Sequence, residues 1–151
     1  MHVVDLDHTD PRADERWSAA LPVLRELRPH LDLDLLAAVC AEGAPQGLRF
    51  SAALDDDGTC HGVAGWRLWA NTATVRQLYV EDLVTRAGSR SGGVGALLLR
   101  ELEHRARAAG CTTLSLDSGV QRHEAHRFYF RERLHIAGHH FTRALAPLPG
   151  A

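Results

Sequence analysis

Gly92, Gly93 and Gly95 stand directly ahead of "ALLLRELEHRARAAG", a run with helical character throughout. Each glycine costs a helix roughly 1 kcal/mol relative to alanine, so stability alone would not put them there. Upstream, Thr74–Val84 reads as a strand, and downstream "CTTLSLD" (Cys111–Asp117) reads as a buried one. Strand, glycine loop, helix and strand make a crossover unit that joins parallel strands. The orphan N–H groups at the mouth of such a helix converge on one spot, and the helix dipole favours an anion there. Glycine admits a phosphate without a Cβ in the way, and Arg90 adds a charge-assisted partner. "RSGGVG" therefore reads as a phosphate or pyrophosphate cradle, although a flexible turn also accounts for the stretch taken alone.

The remaining pattern builds around that unit. "HVVDL" (His2–Leu6) alternates as a short strand. Trp17, Leu21, Leu24 and Leu27 have helical spacing behind a candidate cap, Asp14, with Pro22 a possible interruption and Pro29 a stop. "DLDLLAAVCAEGAPQG" opens on an Asp cap and closes on glycines, as a second helix does. Antiparallel strands follow at Leu48–Leu54, Gly62–Trp69 and Thr74–Val84, the first two joined at Asp57-Gly58. Leu98, Leu102, Ala106 and Ala109 give the central helix its apolar stripe, with Gly110 as a left-handed cap. "RHEAHRFYFRERL" reads as a short helix, and "HIAGHHFTRAL" as one or two closing strands. The order β, α, α, β, β, β, α, β, α, β is an α/β layout around one mixed central sheet with about four flanking helices. We expect a single domain over residues 1–146 and a frayed tail over 147–151.

Composition removes several functions. The 151-residue chain carries a net charge of -2, so it lacks the basic character of a nucleic-acid binder. All 17 basic residues are arginine, which removes a lysine Schiff base and the lysine of a Walker A loop. A dinucleotide fingerprint would need glycine where Leu98 stands. Cys40, Cys60 and Cys111 form no paired spacing, which fits a reducing compartment. No apolar run has the length of a membrane span, and the cytoplasm is the expected location.

What does match is Arg90-x-x-Gly93-x-Gly95 after "LYVEDLVT", followed by "AHRFYFRERL". The two together resemble the GNAT superfamily of acetyl-CoA-dependent N-acetyltransferases, in particular bacterial small-amine members such as the aminoalkylphosphonate N-acetyltransferases. The resemblance implies a GNAT-like domain with its sheet splayed at the acetyl-CoA cleft. It implies that the amides of Ser91, Gly92, Gly93, Val94, Gly95 and Ala96 cradle the CoA pyrophosphate, with Arg90, Arg122 and Phe128 on the cofactor side. The backbone of Leu83, Val84 and Thr85 would pair with the pantetheine arm as an added strand would, and an N–H near Val84 would polarise the thioester carbonyl. The chain departs from the family in lacking proline near Ala87 and a basic residue near Gly92, and in carrying Leu134-His135 where Gly-Phe is common.

The chemistry needs a base and an acid. An alkylamine with a pKa near ~10 attacks only when neutral, and the departing thiolate needs a proton. The resemblance aligns Tyr129 with the family's acid. Glu81 and Asp82 are the candidate bases; without a bulge only one of them can face the cleft. His126 is an alternative acceptor. Among the ten histidines, His123, His135, His139 and His140 show no metal-ligand spacing, and no metal is expected. Arg122, Arg127 and Arg131 lie about a turn apart and are candidates for CoA phosphates or for a solvated face. Asp32, Asp34 and Glu42 suit either a cationic acceptor or helix capping. The partners expected are acetyl-CoA and a small-molecule amine, with neither nucleic acid nor membrane, and a homodimer by family habit. A non-catalytic acyl-CoA sensor and a protein or peptide N-acetyltransferase are the alternatives.

Overall fold

The computed structural model describes residues 1–89 and 92–149. Its elements are β1 (His2–Leu6), α1 (Trp17–Arg25), α2 (Leu33–Gly43), β2 (Leu48–Leu54), β3 (Cys60–Asn71), β4 (Val75–Thr85), α3 (Val94–Ala108), β5 (Thr113–Leu116) and α4 (His123–Arg131). One five-stranded sheet runs in the order β1-β2-β3-β4-β5. The first four strands are antiparallel neighbours, and β5 joins β4 in parallel through the α3 crossover.

The sheet's alternation sorts its side chains into two cores. Leu48, Phe50, Ala52 and Leu54 of β2 face α1 and α2, where Trp17 meets Phe50 edge-on at 5.1 Å between ring centroids. Trp66, Leu78 and Val80 face the other way, onto Leu98, Leu102 and Ala106 of α3. Asp32 caps α2 by accepting the Leu35 N–H at 2.8 Å. Gly110 closes α3 in the left-handed region at φ 70°, with Cys111 N–H reaching back to the Ala106 carbonyl at 2.8 Å.

Several expectations change. Asp14 does not cap α1 itself; Arg16 is the flanking residue, and Asp14 accepts N–H groups from Asp7 and Arg16 in the turn before it. Pro22 sits inside α1 without breaking it, because both it and Ser18, whose carbonyl it leaves free, are exposed to water. α1 ends at Arg25, so Leu27 lies beyond it, and α3 ends before Ala109. The largest correction is at the C-terminus, where residues 135–149 form no strand. Gly138 and the adjacent His139-His140 break the alternation that would bury one face, and Ile136, Phe141 and Leu145 are 69%, 90% and 93% exposed. The position that favours glycine after α4 is Arg133, at φ 65°, one residue before the Leu134-His135 pair. There Leu134 N–H bonds the Tyr129 carbonyl and Arg133 N–H that of Phe130, both at 3.0 Å.

Candidate functional site

Pairing between β4 and β5 runs from Gln77 opposite Thr113 to Val80 opposite Leu116, and stops there. At that point β4 carries one extra residue. Trp66 of β3 pairs with Val80 and Gly65 with Asp82, which leaves Glu81 as a β-bulge. Beyond the bulge, residues 82–85 still pair with β3 on one edge and with no strand on the other among the described residues. The two parallel strands splay, and a cleft of about 370 Å³ opens between Val80, Glu81 and Leu83 on one side and Leu116, Asp117, Gly119, Gln121, Arg122 and Tyr129 on the other. Leu27 and Arg28, just past α1, close its end.

The bulge lets both carboxylates leave the α3 side. Asp82 lies over Gly65, where an added Cβ would come within 2.9 Å of its Oδ2 and 3.0 Å of Phe50. Arg28 Nε donates to Asp82 Oδ1 at 2.7 Å, and Arg28 Nη2 donates to the Glu81 carbonyl at 3.3 Å. Burial pushes the Asp82 carboxyl up from its ordinary value, Arg28 pulls it back, and Glu81 adds to the rise. Glu81 accepts from Arg67 Nε, and Arg67 is braced in turn by the Gln46 side chain at 3.2 Å. Tyr79 donates to Asp117, which also has His140 Nδ1 at 3.2 Å. Burial and then Asp117 push the Tyr79 phenol up.

Tyr129 stands on α4, across the cleft from the bulge, and is 9% exposed. Its hydroxyl has no hydrogen-bond partner among the described residues, and burial pushes its pKa up, with Arg122 opposing. Phe128, its neighbour, rests on Gly95, where a Cβ would meet the ring at 3.2 Å. That contact ties α4 to the first turn of α3. Gly93 precedes α3 at φ 78°, a left-handed conformation that favours glycine. Among the described residues Leu97 is the first of the turn to bond back into it, to the Gly93 carbonyl at 2.9 Å, and the amides of Val94, Gly95 and Ala96 have no acceptor there.

The expected residues divide accordingly. Glu81, Leu83, Arg122 and Tyr129 line one cleft, and Asp82 lies beneath it. Val84 and Thr85 continue the open edge. Val94 turns its side chain into the core at 2% exposure, so only its backbone faces the loop. Gly92 donates its N–H to the Ser89 carbonyl at 3.2 Å, so that amide is already used. Arg90 and Ser91 lie outside the described residues. Arg127 is exposed and pairs with Glu124 at 3.0 Å, away from the cleft. His126 spends Nε2 on the Gly119 carbonyl at 3.0 Å. Among the described residues no cluster of His, Cys, Asp and Glu is arranged to hold a metal.

Sequence reading missed Arg28, Arg67, Tyr79 and Asp117. Two of them left a signal. Arg67 is a charge inside an apolar strand, and Asp117 follows the C-terminal end of a parallel strand, where α/β sites gather. Arg28, in a turn between helices, left none.

The chain matches the Acetyltransferase (GNAT) family over residues 12–135. It is 33% identical over 115 residues to the uncharacterized N-acetyltransferase YhdJ of Bacillus subtilis, covering 76% of this chain and 81% of that one. A shorter match, 36% identical over 66 residues, covers 44% of this chain and 43% of the aminoalkylphosphonate N-acetyltransferase of Salmonella typhimurium. Among solved structures, an acetyltransferase of Trypanosoma brucei superposes with a TM-score of 0.75 at 21% identity, covering 95% of this chain and 99% of that one. The ribosomal-protein-alanine N-acetyltransferase of Brucella melitensis gives 0.77 at 14% identity, covering 96% and 100%. At those identities the likeness concerns the fold.

Proposed function

Because the chain belongs to the GNAT acetyltransferase family and is an acetyl-CoA-dependent acyltransferase, we propose that it acetylates the primary amine of a small molecule seated beside the β4 bulge. One observation carries this reading: the extra residue at Glu81 ends the β4–β5 pairing and puts Glu81 and Tyr129 in the same cleft.

The residues present fit acetyl-CoA. The amides of Val94, Gly95 and Ala96, without acceptors among the described residues and with Gly93 leaving room, suit a pyrophosphate, and the open edge of Leu83–Thr85 suits an extended pantetheine arm. When bound, acetyl-CoA supplies the acetyl group as a thioester. Glu81, paired with Arg67 and lining the cleft, takes the proton of the incoming ammonium, directly or through water. Asp82 anchors Arg28 rather than facing the acceptor. A backbone N–H on the free edge near Val84 gives the carbonyl oxygen a hydrogen bond as charge develops on it. Tyr129, buried and protonated, donates its hydroxyl proton toward the departing sulfur.

The acceptor class follows from the cleft's charges. Arg28 and Arg122 share it with Glu81 and Asp117, so it offers both signs at short range. A short amine that also carries an acid group satisfies both, in keeping with the substrate named in the Salmonella relative. The test is an amine panel with detection of released thiol. Aminoalkylphosphonates and amino acids should exceed plain alkylamines of equal length. Equal turnover would remove the acidic group from the reading, and absence of acetyl transfer to every amine tried would remove the small-molecule acceptor. A cytoplasmic homodimer belongs to the same reading, with the exposed Ile136, Phe141 and Leu145 as surface for the second copy.

A further inference from the structure

The sheet has a second bulge, outside the cleft. Ala53 of β2 pairs with Gly62 of β3 and Leu54 with Cys60, which leaves His61 as the extra residue. A bulge re-aims a side chain, and His61 is aimed at two partners at once. Its Nε2 lies 2.8 Å from Asp55 Oδ2, and its Nδ1 lies 2.7 Å from Ser89 Oγ. Asp55 is itself fixed by the Thr59 N–H at 2.9 Å and is held well below the usual carboxylate range, chiefly by its hydrogen bond with His61. An ionised carboxylate only accepts, so Nε2 carries the proton. Nδ1 and the Ser89 hydroxyl share the second hydrogen bond, the hydroxyl donating where Nδ1 carries no proton and accepting where it does.

Ser89 ends the 3₁₀ turn Ala87–Ser89 in the segment that joins β4 to α3. That segment is tied at its start by Arg86 N–H to the His61 carbonyl at 2.9 Å, and by Ala87 N–H to Glu26 Oε1 at 3.2 Å. Ser89 in turn accepts the Gly92 N–H on its carbonyl. His61 therefore holds the segment by its backbone at Arg86 and by its side chain at Ser89, three positions before Gly92. Glycines lose more conformational freedom on ordering than any other residue, so a loop rich in them binds well only if something else pre-orders it.

We propose that Asp55, His61 and Ser89 form a hydrogen-bonded strut that sets the shape of the CoA pyrophosphate loop, with His61 as its positioning residue. Serine, histidine and aspartate in line also build nucleophiles, but Ser89 is not among the residues lining the cleft, and its hydroxyl is spent holding the loop. The strut rests on the reading of the glycine loop as the CoA site.

The test uses the whole chain and CoA itself. CoA affinity is measured by calorimetry, and kcat and KM for acetyl-CoA at saturating amine, for His61→Ala, Ser89→Ala and the double variant. Each single change should weaken CoA binding about 3- to 10-fold, the weight of one or two hydrogen bonds. The double variant should be no worse than either single, and kcat should hold once acetyl-CoA saturates. His61→Asn, whose Oδ1 can take the Ser89 hydroxyl, should recover most of the affinity. Unchanged affinity in His61→Ala, additive losses, or a fall in kcat without a change in affinity would each overturn the strut while leaving the CoA site intact. Failure of the unaltered protein to bind CoA would overturn the site and the strut together.

Discussion

Strand β4 is two different structures joined at one residue. From Gln77 to Val80 it is paired on both edges, and Leu78 and Val80 are sealed under α3 at 0% and 2% exposure. From Asp82 to Thr85 it is paired on one edge only among the described residues, and with the bulged Glu81 this part carries two carboxylates, each held by an arginine. A single inserted residue separates a segment sealed under α3 from one that, in the proposed function, receives the ligands. Charges at Glu81 and Asp82 are tolerable because the bulge turns them away from the α3 core, and the edge without a second ladder among the described residues suits the extended substrate arm of the proposed function. Substitutions in the two halves should therefore fail in different ways, and Tyr129, which faces the open half, should behave as part of it.

The largest effect is expected at Tyr129. Tyr129→Phe keeps the ring and its packing beside Phe128 and loses only the hydroxyl. General acids contribute typically 10²–10⁴-fold, so kcat for thiol release should fall by at least about 100-fold. CoA affinity and the thermal midpoint should stay near those of the unaltered protein. Normal turnover with intact CoA binding would show that the open half works without this phenol.

How much of this division could be read beforehand depends on which physical signal each part carries. The glycine loop and the helix behind it were legible, because Gly93 and Gly110 occupy left-handed positions that few other residues tolerate. The strands from Leu48 to Thr85 were legible within a residue or two from their alternation and the Asp57-Gly58 turn. The bulge was not, since an extra residue in a strand alters no local propensity and exists only relative to its partner Trp66–Gly65. Arg28 was invisible for the same reason: its value comes from a tertiary meeting with Asp82, fifty-four positions away. The closing strands were over-read. Their apolar residues matched a strand's composition, but composition does not supply a partner edge.

Leu78→Ala sharpens the comparison from the closed half. Removing a fully buried leucine costs about 2–5 kcal/mol through lost burial and the cavity left behind. Denaturant unfolding should register that loss, while KM for acetyl-CoA and kcat hold at temperatures where the protein stays folded. A change in KM without a loss of stability would mean that the closed half also shapes the ligand site, and the division along β4 would not stand.

The smallest effect is a slope in pH, and it separates Asp82 from Leu78, whose contribution does not titrate. Burial raises the Asp82 carboxyl above its unfolded value, with Arg28 opposing. Between the unfolded and the folded value the native protein keeps a proton that the unfolded chain has released. Stability from this group is therefore full below the unfolded value and is lost as pH rises through the folded one. Asp7, Asp14 and Asp55, all held low, give the opposite trend in acid, so the whole protein's profile hides the term. Subtracting the unfolding free energy of the native protein from that of Asp82→Asn isolates it. The difference should climb with pH across that window and then level off, offset throughout by the constant cost of an Arg28 that has lost its carboxylate partner. A flat difference would place Asp82 in water, and a falling one would make Arg28, rather than burial, the dominant influence on the open half of the strand.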